Sequence, residues 1–132
     1  MISEKMVLDK YLKTPIPFKH MGRDLKGLDC YGLIKCIYED AGIELMDLED
    51  YAVGWARKGE NYFVDNYYKQ FEEALTPHFL DVVLFKNSKG VANHAGIVLS
   101  GNRFIHCSKA GVNVQKLATW FPRLVGFYRV KI

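Results

Sequence analysis

Gly27-Leu28-Asp29-Cys30-Tyr31-Gly32-Leu33 is the place where a turn-like segment runs into a helical pattern, with a cysteine at the junction. Downstream, Leu33, Ile34, Ile37 and Tyr38 recur at the spacings of one helix face, and Ala41-Gly42 supplies a stop, so a helix is predicted from Cys30 to Ala41. Asp29 reads as its N-cap, because its carboxylate can accept from an N–H of the first turn that has no partner in the helix. Cys30 then lies among those N–H groups and near about half a positive charge of the helix macrodipole, which favours a thiolate. Such a setting can take a thiol from a pKa of ~8.5 to between about 3.5 and 7.5. Taken alone, the position also suits a small buried apolar residue, the usual service of a free cysteine.

Upstream of that junction, Thr14-Pro15-Ile16-Pro17 forces an extended path through Phe18, Lys19, His20, Met21 and Gly22, a stretch expected to line the approach to the thiol. A short amphipathic helix is predicted before it, from Ile2 to Leu12, with Val7, Leu8 and Tyr11 on one face. Downstream, Leu48, Tyr51, Ala52 and Trp55, then Val64, Tyr67, Tyr68, Phe71 and Leu75, repeat at helical spacing around Gly59-Glu60-Asn61. They predict a helix pair ended by Pro77, whose aromatic stripe belongs to the core or to one wall of a cleft.

The period then changes from helical to alternating. Asp81–Phe85, His94–Leu99, Arg103–His106, Val112–Val114 and Leu124–Val130 are short runs rich in β-branched and aromatic residues, separated by Asn87-Ser88-Lys89-Gly90, Ser100-Gly101-Asn102 and Lys109-Ala110-Gly111. Helices followed by a series of strands predict an α+β domain with helices packed on an antiparallel sheet. The 132 residues, 49% hydrophobic and 25% charged, suit a single domain over 1–132.

The net charge of +3 is spread without a basic block, so nucleic acid is not implied. Three cysteines at irregular spacing form neither a disulfide framework nor a paired-cysteine metal motif, and no apolar run approaches a membrane span. The first residues mix charges with apolar side chains and do not read as a secretory signal. The expected location is therefore the cytoplasm, or a target reached by another route.

Among the four histidines, His94 opens one predicted strand and His106 ends the next, with a hairpin turn between them, so the two can be neighbours across the ladder. His20 and His78 read as wall or surface residues. A helix-borne thiol against such a sheet edge would see one imidazole as base and the other as that base's orienter, the arrangement nucleophilic catalysis needs. Losing His106 should then hurt less than losing His94, and activity should fall on the acid side near the ordinary histidine pKa of about 6.5. Cys36 and Cys107 read as core, with Cys107 on the strand face opposite His106.

Asp29-Cys30-Tyr31-Gly32-Leu33, Asp81-Val82-Val83-Leu84-Phe85, His94-Ala95-Gly96-Ile97-Val98, Phe104-Ile105-His106 and Gly111-Val112 occur in an order that resembles the NlpC family of papain-like cysteine peptidases, which cut peptide stems of bacterial cell walls. The likeness spans roughly Thr14 to Arg129. It implies a papain-like fold, Cys30 as nucleophile, His94 as base and His106 as third member, with no metal and no cofactor. It also implies peptidoglycan stem peptides as partners, cleaved between D-γ-glutamyl and a diamino acid.

Two departures qualify the likeness. Tyr31 stands where many members have Ser and phage-tail members have Trp, and Phe18 stands where many have a Tyr whose hydroxyl serves the oxyanion site. The aromatic residue after Cys30 and the absence of a readable signal suit a phage or prophage tail-tip component carried in the virion, with other tail-tip proteins as partners. Two further readings stay open. Cys30, His94 and His106 offer one thiolate and two imidazoles to zinc, and the domain can be a structural tail-tip or wall-binding module that keeps the fold without activity.

Overall fold

The computed structural model describes residues 2–45 and 70–131. Helix α1 spans Glu4–Leu12 behind an N-cap at Ser3, whose hydroxyl accepts from the Met6 N–H at 3.2 Å, and it buries Val7 and Tyr11. Helix α2 spans Cys30–Asp40 and buries Tyr31, Gly32, Leu33, Ile34, Ile37 and Tyr38. The predicted bounds of both helices hold to within a residue or two.

Strands β1 (Arg23–Asp24) and β2 (Gly27–Leu28) make a small antiparallel pair just ahead of α2. The main sheet contains β3 (Phe71–Ala74), β4 (Val82–Lys86), β5 (Ala92–Leu99), β6 (Arg103–Ser108), β7 (Gly111–Lys116) and β8 (Leu124–Val130). Its strand order is β3-β8-β4-β5-β6-β7, with every neighbouring pair antiparallel. Helix α3 (Leu117–Trp120) and a 3₁₀ turn (Phe121–Arg123) connect β7 to β8. The fold is the α+β arrangement that the change of period predicts.

Alternation along the strands sorts the apolar side chains into two clusters. The larger one packs α1 and α2 against one face of the sheet through Val7, Leu33, Ile37, Leu84, Ala95, Ile97 and Ile105, among others. The smaller one holds Val83, Phe85, Val98, Phe104 and Leu117, with Trp120 against it.

One expectation is corrected by the sheet. The predicted second helix of the pair carried Phe71 and Leu75 on one face, whereas Phe71–Ala74 is a strand paired to β8 from Phe71↔Val130 to Ala74↔Phe127, and Leu75 is 93% exposed. The spacing misled because Tyr67, Tyr68, Phe71 and Leu75 stand three and four apart along the chain, a pattern that reads as helical. Backbone pairing with β8 and an edge-on contact of Phe71 with Tyr38, centroids 5.8 Å apart, decide the conformation instead. The rest of the predicted pair, up to residue 69, lies outside the described residues.

Gly32 fits the start of α2 to the segment in front of it. A Cβ there would come within 2.0 Å of the Gly22 carbonyl oxygen, a backbone atom that cannot turn aside, so only glycine lets the helix pack this closely on that segment. The same segment runs beside β2, with the Lys19 N–H donating to the Leu28 carbonyl at 2.9 Å and the Leu28 N–H to the Pro17 carbonyl at 3.1 Å. Phe18 bridges to Leu28 and is 42% exposed. The extended approach to Cys30 is thus a strand-like ribbon tied to the start of α2.

Candidate active site

Asp29 is the N-cap of α2, as its position predicts. It is 4% exposed, and its carboxylate accepts from the Gly32 N–H at 2.8 Å, the Met21 N–H at 2.9 Å and Arg23 Nη1 at 3.0 Å. One cap bond of this kind stabilises a helix by about 1 kcal/mol. The other two tie the approach ribbon to the helix start, so one buried carboxylate organises everything that leads to Cys30.

Cys30 is the first residue of α2 and packs against the larger core cluster. The backbone N–H groups of Ala95, on β5, and of Tyr31, in the first turn of α2, hydrogen-bond its sulfur and favour the thiolate, the second being the donor the helix-terminus argument requires. They are outweighed. Burial, followed by the negative charge of Asp29, pushes the thiol up to about 12. The expected lowered pKa therefore gives way to a thiol that rests protonated, because packing removes the water a thiolate would need and the cap that starts the helix is itself an anion.

Ala95, which donates to Cys30, follows His94 in β5. A register shift between Phe85 and Lys86 leaves Asn93 as an extra residue between Ala92 and His94, a bulge of the kind that re-aims a neighbouring side chain. His94 is the third residue of its strand rather than the first, and β6 runs two residues past His106. Between them Gly96 brings the strands close: a Cβ there would lie 2.8 Å from the Ile105 carbonyl oxygen and 3.2 Å from His106 Cβ.

The imidazoles meet, with His94 Nε2 2.6 Å from His106 Nδ1 and the rings edge to face at a centroid distance of 4.8 Å. His106 Nε2 lies 3.0 Å from Asn113 Oδ1. Trp120 stacks on His94 at 5.5 Å and meets His106 edge-on at 5.3 Å, while Phe85 and Phe104 pack beside them. Burial is the main cause that lowers both histidines. His94 is taken down to about 3, with repulsion from His106 and Arg123 adding to the effect. For His106, hydrogen bonds to Asn113 and Gln115 work in the opposite direction. Both rings are therefore neutral near pH 7.

The structure thus brings His94 and His106 into contact and places Cys30 against the backbone of the residue after His94. Among the described residues no hydrogen bond joins the thiol to an imidazole. The nitrogens by which His94 and His106 face each other are spent on their mutual hydrogen bond, so the pair does not present them jointly to a zinc ion. Cys107 is 1% exposed, and its thiol donates to the Leu28 carbonyl at 3.0 Å on the face away from His106. Cys36 is half-buried and donates to the Arg23 carbonyl at 3.3 Å, while His78 is exposed and His20 half-buried.

Sequence reasoning missed Asn113, Gln115 and Trp120. Asn113 is legible only once His106↔Asn113 pairing is known, since it sits in what reads as an ordinary strand. Trp120 arrives from the β7–β8 connection, where no local pattern points to a histidine.

Over residues 15–129 the chain matches the NlpC/P60 family. It is 27% identical over 127 residues to LytE of Bacillus subtilis (strain 168), described as a probable peptidoglycan endopeptidase, in a match that covers 95% of this chain and 34% of that protein. The chain therefore spans about a third of that relative's length. Among solved structures it resembles an NLP/P60-family protein, described as similar to lipoprotein, from Staphylococcus aureus subsp. aureus Mu50, with a TM-score of 0.67 and 24% identity over 99% of this chain and 43% of that one. It also resembles the NlpC/p60 domain of the peptidoglycan hydrolase SagA, with a TM-score of 0.57 and 22% identity over 99% of this chain and 100% of that one. At these identities the structural likenesses speak for the fold, and the sequence match over residues 15–129 shows that the chain belongs to the NlpC/P60 family.

Proposed function

We propose that this domain is a cysteine peptidase that hydrolyses peptide stems of bacterial peptidoglycan at the bond between D-γ-glutamyl and a diamino acid. The observation that carries the reading is a hydrogen-bonded histidine pair, His94 and His106, on strands whose backbone at Ala95, the residue after His94, bonds the first-turn thiol of Cys30. Family membership and the peptidoglycan endopeptidase described for LytE supply the substrate class.

In this mechanism His94 takes the thiol proton as Cys30 Sγ attacks the stem carbonyl carbon, so the thiolate is generated during attack rather than stored. His94 then passes the proton to the departing amine as the carbon–nitrogen bond breaks. Water, deprotonated by the same imidazole, hydrolyses the remaining thioester and frees the thiol. Phe18 brings no hydroxyl to the developing oxyanion, which falls to backbone N–H donors such as that of Cys30. One missing donor can cost a factor of ~10²–10³ in rate, so a slow enzyme is expected.

Mass spectrometry of purified stem peptides after incubation should show a fragment that begins at the diamino acid. Stems that stay whole, under conditions where a known hydrolase cuts them, would leave the non-enzymatic wall-binding reading in possession. The proposal extends to deployment in a phage or prophage tail tip, supported by the aromatic Tyr31 after the thiol. Proteomic analysis of purified particles should find the chain. Recovery only from the producing cell's cytoplasm would overturn that placement.

A further inference from the structure

We infer that Asn113 is a positioning residue which decides, through His106, which nitrogen of His94 carries the proton. The inference rests on the peptidase reading for the role of His94, and on geometry for the rest. Asn113 Nδ2 lies 2.9 Å from the Gly111 carbonyl oxygen and 3.3 Å from Ser108 Oγ. A carbonyl can only accept, so the atom facing Gly111 has to be the NH₂ group, and the side-chain oxygen has to face His106. That oxygen, 3.0 Å from His106 Nε2, has no hydrogen to give.

The consequence passes along the chain of contacts. His106 Nε2 must donate to Asn113 Oδ1. A neutral imidazole has a single N–H, so His106 Nδ1 is left as an acceptor. His94 Nε2, 2.6 Å away, must therefore donate to it. His94 Nδ1 is then the bare nitrogen, the one able to take a proton from a thiol. Reversing the Asn113 amide would reverse each assignment in turn and leave His94 Nδ1 already protonated.

The fold holds this first member firmly. Asn113 stands opposite His106 in the β6–β7 ladder, and the turn between these strands begins at Ser108 and ends at Gly111. Gly111 has φ +94°, and a Cβ on it would approach the Ile16 carbonyl oxygen to 2.5 Å. The Val112 N–H donates to that same carbonyl at 3.0 Å, which pins the turn to the approach ribbon. Gln115, also hydrogen-bonded to His106, accepts from the Trp120 indole N–H and so likewise presents oxygen to this end of the site.

The test reads the protons directly. Long-range ¹⁵N–¹H spectra of the ligand-free protein labelled at histidine should show both His94 and His106 protonated on Nε2. A wild-type His94 protonated on Nδ1 would overturn the inference outright. Asn113→Asp keeps an acceptor, whereas Asn113→Lys offers only donors. The lysine variant should move both protons to Nδ1 and lower kcat on the order of 10²-fold with little change in KM, while the aspartate variant stays within about tenfold of wild type. Equal losses in the two variants, with Nε2 protonation kept in both, would count against the idea. If the lysine variant does not fold, Asn113→Leu should give mixed tautomers, and an unchanged spectrum there would be equally damaging. Because the spectra need no substrate, a protein that cuts no stems yet carries both protons on Nε2 would sink the peptidase reading and leave this inference standing.

Discussion

Cys30→Ala is expected to remove stem cleavage altogether, a fall in kcat of at least about 10⁴-fold, while the fold persists. The magnitude follows from removing the atom that forms the covalent intermediate, after which only binding and oxyanion contacts are left. Persistence of the fold follows from what the substitution spares. The Asp29 cap binds the Gly32 N–H and not the Cys30 side chain, and alanine is the best helix former at the position. Thermal melts of the two proteins should therefore nearly coincide while mass spectrometry of stem digests separates them. Substantial turnover in a well-folded Cys30→Ala protein would show that the nucleophile lies elsewhere.

His94→Ala should cost about 10²–10⁴-fold in kcat, the usual worth of a positioned base, and more than His106→Ala costs. Its pH behaviour distinguishes this site from an ordinary histidine. Because burial lowers His94 to about 3 and lowers His106 as well, the acid limb of kcat/KM should lie well below pH 6.5, not near it as the sequence alone suggests. A profile that bends at 6.5 would mean that the rings are better hydrated than this packing allows.

The same shift bears on stability. Between about pH 3 and 6.5 the unfolded chain binds a proton at His94 that the folded chain refuses, so stability rises with pH across that window. The contribution is fully present above 6.5 and is lost as pH falls toward 3. His94→Gln should flatten this part of a Tm-against-pH curve, and an unchanged slope would place the acid sensitivity in other groups.

The residues themselves determined a good deal. The cap at Asp29, the start of α2 at Cys30, the turns and the alternating strands depend on interactions within a few positions along the chain, and those are written locally. The order of the thiol and the two histidines was legible for the same reason, together with the family it resembles. Tertiary structure decided the rest. Phe71 reads as helical until β8 is available to pair with it. Asn113 reads as an ordinary strand residue until the β6–β7 register sets it opposite His106. The acidity of the site was misjudged from sequence because a helix terminus is a local feature, whereas the burial that raises Cys30 and lowers His94 is produced by side chains far away in the chain. Capping acts over one turn of helix, but desolvation sums over every atom that packs around a group, and only the folded chain says which atoms those are.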